Sequence, residues 1–211
     1  MQVKLGMGEL RESKKRETRQ RISDVATKLF VTRGFDAVTL DEVAVAAKVS
    51  KMTVFNYFAR KEDLLLDRTD DLLLLPFRDA LRAKPKGQTA IDALRVLIDQ
   101  RRAQKDPFAR IHPRSVEWWR VVAASPSLKA RLHELGDEAA EGLARELTGL
   151  EPDGLSRLIA ALLVATMRTA REQAIQVLER GGSAKKANAA FLALIDRGFV
   201  ALEALEATAG A

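Results

Sequence analysis

Two helix-start signals eleven residues apart constrain this chain more than anything else in it. In the stretch VTLDEVAVAAKVSKMTVFNYF, Thr39 is followed three residues later by Glu42, and Val38 and Val43 stand on either side. That is a capping box with its hydrophobic staple, so a helix begins at Leu40. It can run only to about Ala47. After a turn over residues 48–50, Ser50 supplies a second cap, and a third short helix is carried through Phe58. Upstream, Ile22, Val25, Ala26, Leu29 and Phe30 recur at three- and four-residue spacing, which predicts a first helix over residues 17–32, stopped by Gly34. Two short helices joined by so brief a turn, with a third to pack on, form a helix-turn-helix.

On the third helix Val54, Phe55 and Phe58 form the apolar set expected to face the other two helices. Lys51, Met52, Thr53, Asn56 and Tyr57 are left on the opposite side. Such a face suits a major groove: Asn pairs bidentately with adenine, Lys reaches guanine, and the methyl groups of Thr and Met meet thymine methyls. Charge placement agrees. Of a net charge of +6, residues 1–63 carry 13 Lys and Arg against 9 Asp and Glu, so most of the surplus lies at this end. A basic patch favours a polyanion, although a solvated face or an anionic membrane surface fits charge alone.

The chain has 211 residues, 47% hydrophobic and 30% charged, with only 6 Pro and 12 Gly. Abundant Ala, Leu, Arg and Glu without β-branched runs predicts an all-α chain. The absence of cysteine excludes disulfides, thiolate zinc sites and cysteine nucleophiles. The N-terminus lacks the apolar core of a signal peptide, and the longest apolar run, residues 158–167, is too short to span a bilayer, so a cytoplasmic location without membrane partners is expected. Two histidines, His112 and His133, with no HExxH pair, phosphate-binding glycine loop or GxSxG elbow, argue against an enzyme and against any metal or cofactor.

The string RQRISDVATKLFVTRGFDAVTLDEVAVAAKVSKMTVFNYFARKEDLL, residues 19–65, resembles the DNA-binding domain of the TetR family of bacterial transcriptional regulators. The resemblance implies that Thr39 contacts a phosphate from the start of the second helix, that Lys51, Met52, Thr53 and Asn56 face bases, and that Tyr57 and Lys61 hold the backbone. Phosphate contacts fix register, whereas base contacts carry the sequence information. Two positions depart from the family's pattern. Lys48 stands where glycine is usual, and a left-handed backbone there would cost about 1 kcal/mol. Arg60 stands where a capping serine is common. Lys48, Ser50 and Arg60 are counted with the DNA-facing set, Lys48 and Arg60 as phosphate contacts.

This reading divides the chain into a mobile basic tail (1–16), a helix-turn-helix domain (17–62) and a larger helical ligand-binding and dimerisation domain (63–211), with about nine helices in all. A fourth helix is expected over residues 61–81, kinked or ended near Leu75 by Pro76. Others are expected over 89–105, 113–124, 127–147, 154–179 and 183–205. The 154–179 helix is apolar nearly all round in its first half, which predicts burial on both sides there. The last helix carries Ala187, Phe191, Leu194, Ile195, Phe199, Val200 and Leu202 as its stripe. By resemblance these two pair with their copies in a homodimer that holds a double-stranded, palindromic operator. A small-molecule effector then regulates binding, for which Phe108, Ile111, His112, Trp118, Trp119 and Met167 are candidates, with Arg114 and Arg120 for an anionic group. Trp118 and Trp119, being adjacent, should point about 100° apart. Residues 121–150 resemble family members that bind acyl-CoA or fatty-acyl effectors. The competing reading is an architectural DNA-binding protein with no effector.

Overall fold

The computed structural model describes residues 7–67, 74–113, 115–149 and 151–209. Among them are ten α-helices, one 3-10 turn and no strand: α1 Met7–Arg33, α2 Leu40–Ala46, α3 Lys51–Tyr57, α4 Asp63–Leu66, α5 Leu75–Ala83, α6 Ala90–Ala103, the 3-10 turn Pro107–Ala109, α7 Ser115–Ala124, α8 Pro126–Thr148, α9 Gly154–Glu179 and α10 Ala184–Ala209. The protein is all-α. Two compact units are present: one takes residues through Asp67 together with Arg120–Lys129, the other holds the remainder.

One expectation is corrected here. Helix α1 begins at Met7 rather than near residue 17, so the described part of the basic tail is helical. Its residues, GELRESKKR, are largely good helix formers, and only residues 1–6 of the expected tail lie outside the described chain. Pro76, expected to kink or end the fourth helix near Leu75, stands just past a break at Leu74. It lies in the first turn of α5, where the missing N–H has no partner to lose and the fixed φ is already helical. Thr89 caps α6 by accepting from the Asp92 N–H, and Asp153 caps α9 by accepting from the Ser156 N–H.

In the first unit, Ile22, Ala26 and Phe30 of α1 are fully buried, with Phe35, Val38, Val43, Val54 and Phe58 closing round them. The second unit has its core around Phe77, Leu94, Phe108, Leu143, Met167, Phe191 and Phe199. Its most extensive pairing is α9 on α10, joined by a connection of only four residues, 180–183. At Gly198 the α10 backbone lies close against the Thr166 side chain of α9, since a Cβ there would stand 2.3 Å from the Thr166 Cγ2.

Helix α9 is not buried all round within one chain: Leu158 is 51% exposed, and Val200 on α10 is 61% exposed. Ala187, Phe191, Ile195, Phe199 and Leu202 form the buried stripe of α10, whereas Leu194 lies at its margin.

Candidate functional site

The reading head is built by its caps. Thr39 accepts from the Glu42 N–H at 3.2 Å, and the Glu42 carboxylate accepts from the Thr39 N–H at 2.8 Å, closing the capping box. The Thr39 backbone N–H, then Arg33 and the Thr39 hydroxyl, hold the Glu42 carboxyl at about 2, well below its ordinary 4.5. Helix α2 ends in a Schellman motif, with the Val49 N–H donating to the Ala44 carbonyl and the Lys48 N–H to the Val45 carbonyl. The residue forced into the left-handed region is Lys48, at φ 54°. Ser50 then accepts from the Thr53 N–H at 3.0 Å and starts α3.

This arrangement leaves one side of α3 uncovered. Lys51, Met52 and Asn56 are exposed, Thr53 and Tyr57 are partly so, and Lys48, Ser50 and Arg60 are exposed at its margins. Neither the Asn56 amide nor the Tyr57 hydroxyl hydrogen-bonds any described residue. Lys51 pairs with Asp41 at 2.9 Å, with both side chains half exposed or more. An exposed pair of this kind contributes at most about 1 kcal/mol, so a base or phosphate can replace it. Ser50, Thr53 and Thr39 spend part of their hydrogen-bonding capacity on the caps. The hydroxyls of Ser50 and Thr53 lie 2.8 Å apart.

Phe55 departs from expectation. The apolar pattern places it on the inner face with Val54 and Phe58, but it is 48% exposed while those two are buried. The cause is helical geometry: Phe55 follows Val54 and is turned about 100° from its buried direction, while Phe58 lies past the end of α3 as its extended C-cap. With Val45 at 78% and Met52 at 67% exposure, it gives the uncovered surface an apolar component suited to thymine methyls.

Lys61 is oriented differently from a simple phosphate-facing lysine. Its ammonium donates to the Phe35 carbonyl at 2.6 Å and stands 4.3 Å from the centre of the Phe35 ring. Arg19, not singled out in the sequence, pins the far end of α3: it donates to the Tyr57 carbonyl at 2.6 Å, pairs with Asp67 and lies over the Phe58 ring. Ser23, buried, donates to the Leu64 carbonyl at 3.0 Å. These contacts fix the angle at which α3 is presented. A signal for Arg19 existed only as one cation among many on a basic helix.

The candidate effector residues are less united. Phe108 and Met167 share the core of the second unit with Ile111, and Trp119 packs against that core. Trp118 and Trp119 meet edge to face, with centroids 4.9 Å apart and planes at 84°. His112 is exposed. Arg114 lies outside the described residues. The structure brings Phe108, Met167 and Trp119 to one core and leaves His112 off it. Sequence reasoning missed Arg171, which is buried in that core and donates to the Phe108 carbonyl. No described helix is long and apolar enough to cross a membrane.

Comparison with known proteins bears on the head first. Residues 22–67 match the family model described as bacterial regulatory proteins, tetR family. The chain is 27% identical over 176 residues to the HTH-type transcriptional regulator TcmR of Streptomyces glaucescens, covering 75% of this chain and 74% of that one. It is also 27% identical over 152 residues to the HTH-type transcriptional repressor KstR of Rhodococcus jostii, covering 70% and 68%. Among solved structures, Thermus thermophilus FadR, a TetR-family repressor in complex with lauroyl-CoA, is 26% identical, with 85% of this chain and 94% of that one covered and a TM-score of 0.42.

Proposed function

We propose that this chain, a member of the TetR family of bacterial regulatory proteins and a DNA-binding transcriptional regulator, is a repressor that holds a palindromic operator as a homodimer and is released by a small molecule. One observation carries the reading: the two capped helices α2 and α3 leave uncovered a face holding Lys51, Met52, Asn56 and Tyr57, with the Asn56 amide and the Tyr57 hydroxyl unpaired among the described residues. In the proposed complex Lys51, Met52, Thr53, Asn56 and Phe55 meet base edges in the major groove. Thr39, Lys48, Ser50, Tyr57, Arg60 and Lys61 hold phosphates. Lys61 must exchange its Phe35 carbonyl contact to do so.

The second copy is proposed to seat on the face of α9 and α10 that one chain leaves open at Leu158 and Val200. An apolar surface of this kind is suited to bury itself against its own copy, and a two-fold axis then presents two α3 helices to successive major grooves. Leu158→Glu with Val200→Glu should leave helical content intact by circular dichroism while shifting the sedimentation velocity to that of a monomer. The effector is proposed to enter the second unit and to stabilise a conformer whose heads no longer match the operator spacing, which requires it to bind that conformer more tightly.

The experiment is selection of the purified protein against a randomised duplex library at near-physiological salt. An inverted repeat is the expected product. Retention of duplex without enrichment of any sequence would instead favour the architectural reading, since sequence-indifferent binding is carried by phosphates alone.

A further inference from the structure

The side of α1 that seats it in the head changes character along the helix. Counting back by fours from buried Phe30, the line passes Ala26 and Ile22, also buried, and then reaches Thr18 and Lys14. The line beside it runs from buried Ser23 through Arg19 to Lys15 and Arg11. Residues four apart share a helix face, so the side that is apolar against the head is cationic beyond it. Every residue from Leu10 to Glu17 is exposed. Among the described residues Arg11, Lys14 and Lys15 have no hydrogen-bond or ion-pair partner.

This arrangement is poorly suited to water alone. Arg11, Lys14 and Lys15 stand at i, i+3 and i+4, where like charges repel across one turn. On the far side of the same segment Glu12 and Arg16 stand at i and i+4, the mixed-sign spacing of a solvated helix surface. The near side has cations alone. Its position is fixed by Arg19, which donates to the Tyr57 carbonyl at 2.6 Å and lies over the Phe58 ring. The cationic line therefore sets out from the C-terminal end of α3, with Lys15 and Arg11 about 6 and 12 Å further along the axis of α1.

We propose that Arg11, Lys14 and Lys15 form a second DNA-contacting surface of the head, which holds phosphates next to those held by Tyr57 and reads no bases. This rests on the reading of the uncovered face of α3 as DNA-binding. A duplex carries one negative charge per about 1.7 Å of its axis, so a row of cations of this length meets several. Contacts of this kind add affinity and fix orientation without adding sequence information.

The test uses the full chain with the operator recovered by the selection described above, a duplex of unrelated sequence, and vesicles of phosphatidylglycerol. Affinity is measured against salt for Arg11→Gln, Lys14→Gln, Lys15→Gln and the triple variant. Arg16→Gln is the control, because it removes the same charge from the far side. Glutamine is a good helix former, and circular dichroism checks that the helix is kept. Each near-side substitution should lower the salt slope of operator binding by about one for each head. The triple variant should lose about 10- to 100-fold in affinity at near-physiological salt, with the ranking of single-base operator variants unchanged. Arg16→Gln should leave the slope as it is. A triple variant with the parent's slope, an equal fall in Arg16→Gln, or an altered base ranking would each overturn the proposal. So would vesicle binding that depends on the three cations while operator binding does not. If the parent recovers an inverted repeat and the triple variant keeps its slope, this proposal alone fails. If the parent recovers no operator but the triple variant loses affinity for the unrelated duplex, the phosphate surface stands and base reading by α3 is refuted.

Discussion

The two units place their polar chemistry on opposite sides of their helices. In the head, α2 and α3 are seven residues each, both are capped by side chains next to them in sequence, and the groups that do chemistry face outward. In the second unit α9 and α10 have 26 residues each, and the polar group of interest, Arg171, faces inward. Outward-facing groups are defined by what one short helix leaves uncovered. Inward-facing ones are defined by what several helices bring together. The contrast sets an exposed polar surface in the head against a largely buried arginine in the second unit.

The largest effect that sharpens this comparison lies in the second unit. Phe191 is fully buried against α9, so Phe191→Ala should destabilise the protein by about 3–5 kcal/mol, read by urea unfolding. A cost under about 1 kcal/mol would show that the long helices are not held by this core. In the head, losses should be smaller because each depends on a cap. Thr39→Ala removes the two hydrogen bonds that the Thr39 hydroxyl makes with Glu42, leaves the backbone N–H bond to the carboxylate, and should cost about 1 kcal/mol by the same measurement.

Lys48 should move stability and binding in opposite directions. It sits at φ 54°, so Lys48→Gly should stabilise by somewhat under about 1 kcal/mol. If Lys48 contacts a phosphate, the same substitution should reduce the salt slope of operator binding by about one. Stabilisation with an unchanged slope would remove Lys48 from the interface.

The smallest effect is one of pH. The Glu42 carboxyl sits at about 2 in the folded chain against an ordinary 4.5. A depressed carboxyl contributes stability that is fully present above the unfolded value and is lost as pH falls through the folded one. Glu42→Gln should therefore flatten the acid-side loss of stability between about pH 4.5 and 2. An unchanged acid profile would mean that the box does not hold the carboxylate in solution.

Legibility in the sequence follows the same division. Thr39, Glu42 and Ser50 announce their helices because a cap is a contact between residues three apart, fixed before any tertiary packing. Phe55 was misassigned because, on a seven-residue helix, two apolar neighbours do not decide which of them marks the inner face. Pro76 marks a break because proline is tolerated in the first turn of a helix and not in its interior, and α5 starts beside it at Leu75. Arg171 carried no signal, since arginines on long helices are ordinarily at the surface and its burial arises only when α9 packs beside Phe108 and Phe191. The candidate effector set accordingly held Phe108 and Met167 and omitted Arg171, which donates to the Phe108 carbonyl.

The most direct test of the central claim, that the uncovered face of α3 reads DNA bases, is a specificity profile of Asn56→Ala against every single-base variant of the selected operator. The account predicts that preference relaxes by about 1–3 kcal/mol at one position in each half-site, with the other positions and the salt slope unchanged. A uniform loss across all variants, accompanied by a shallower salt slope, would contradict it and assign Asn56 to the phosphate backbone instead.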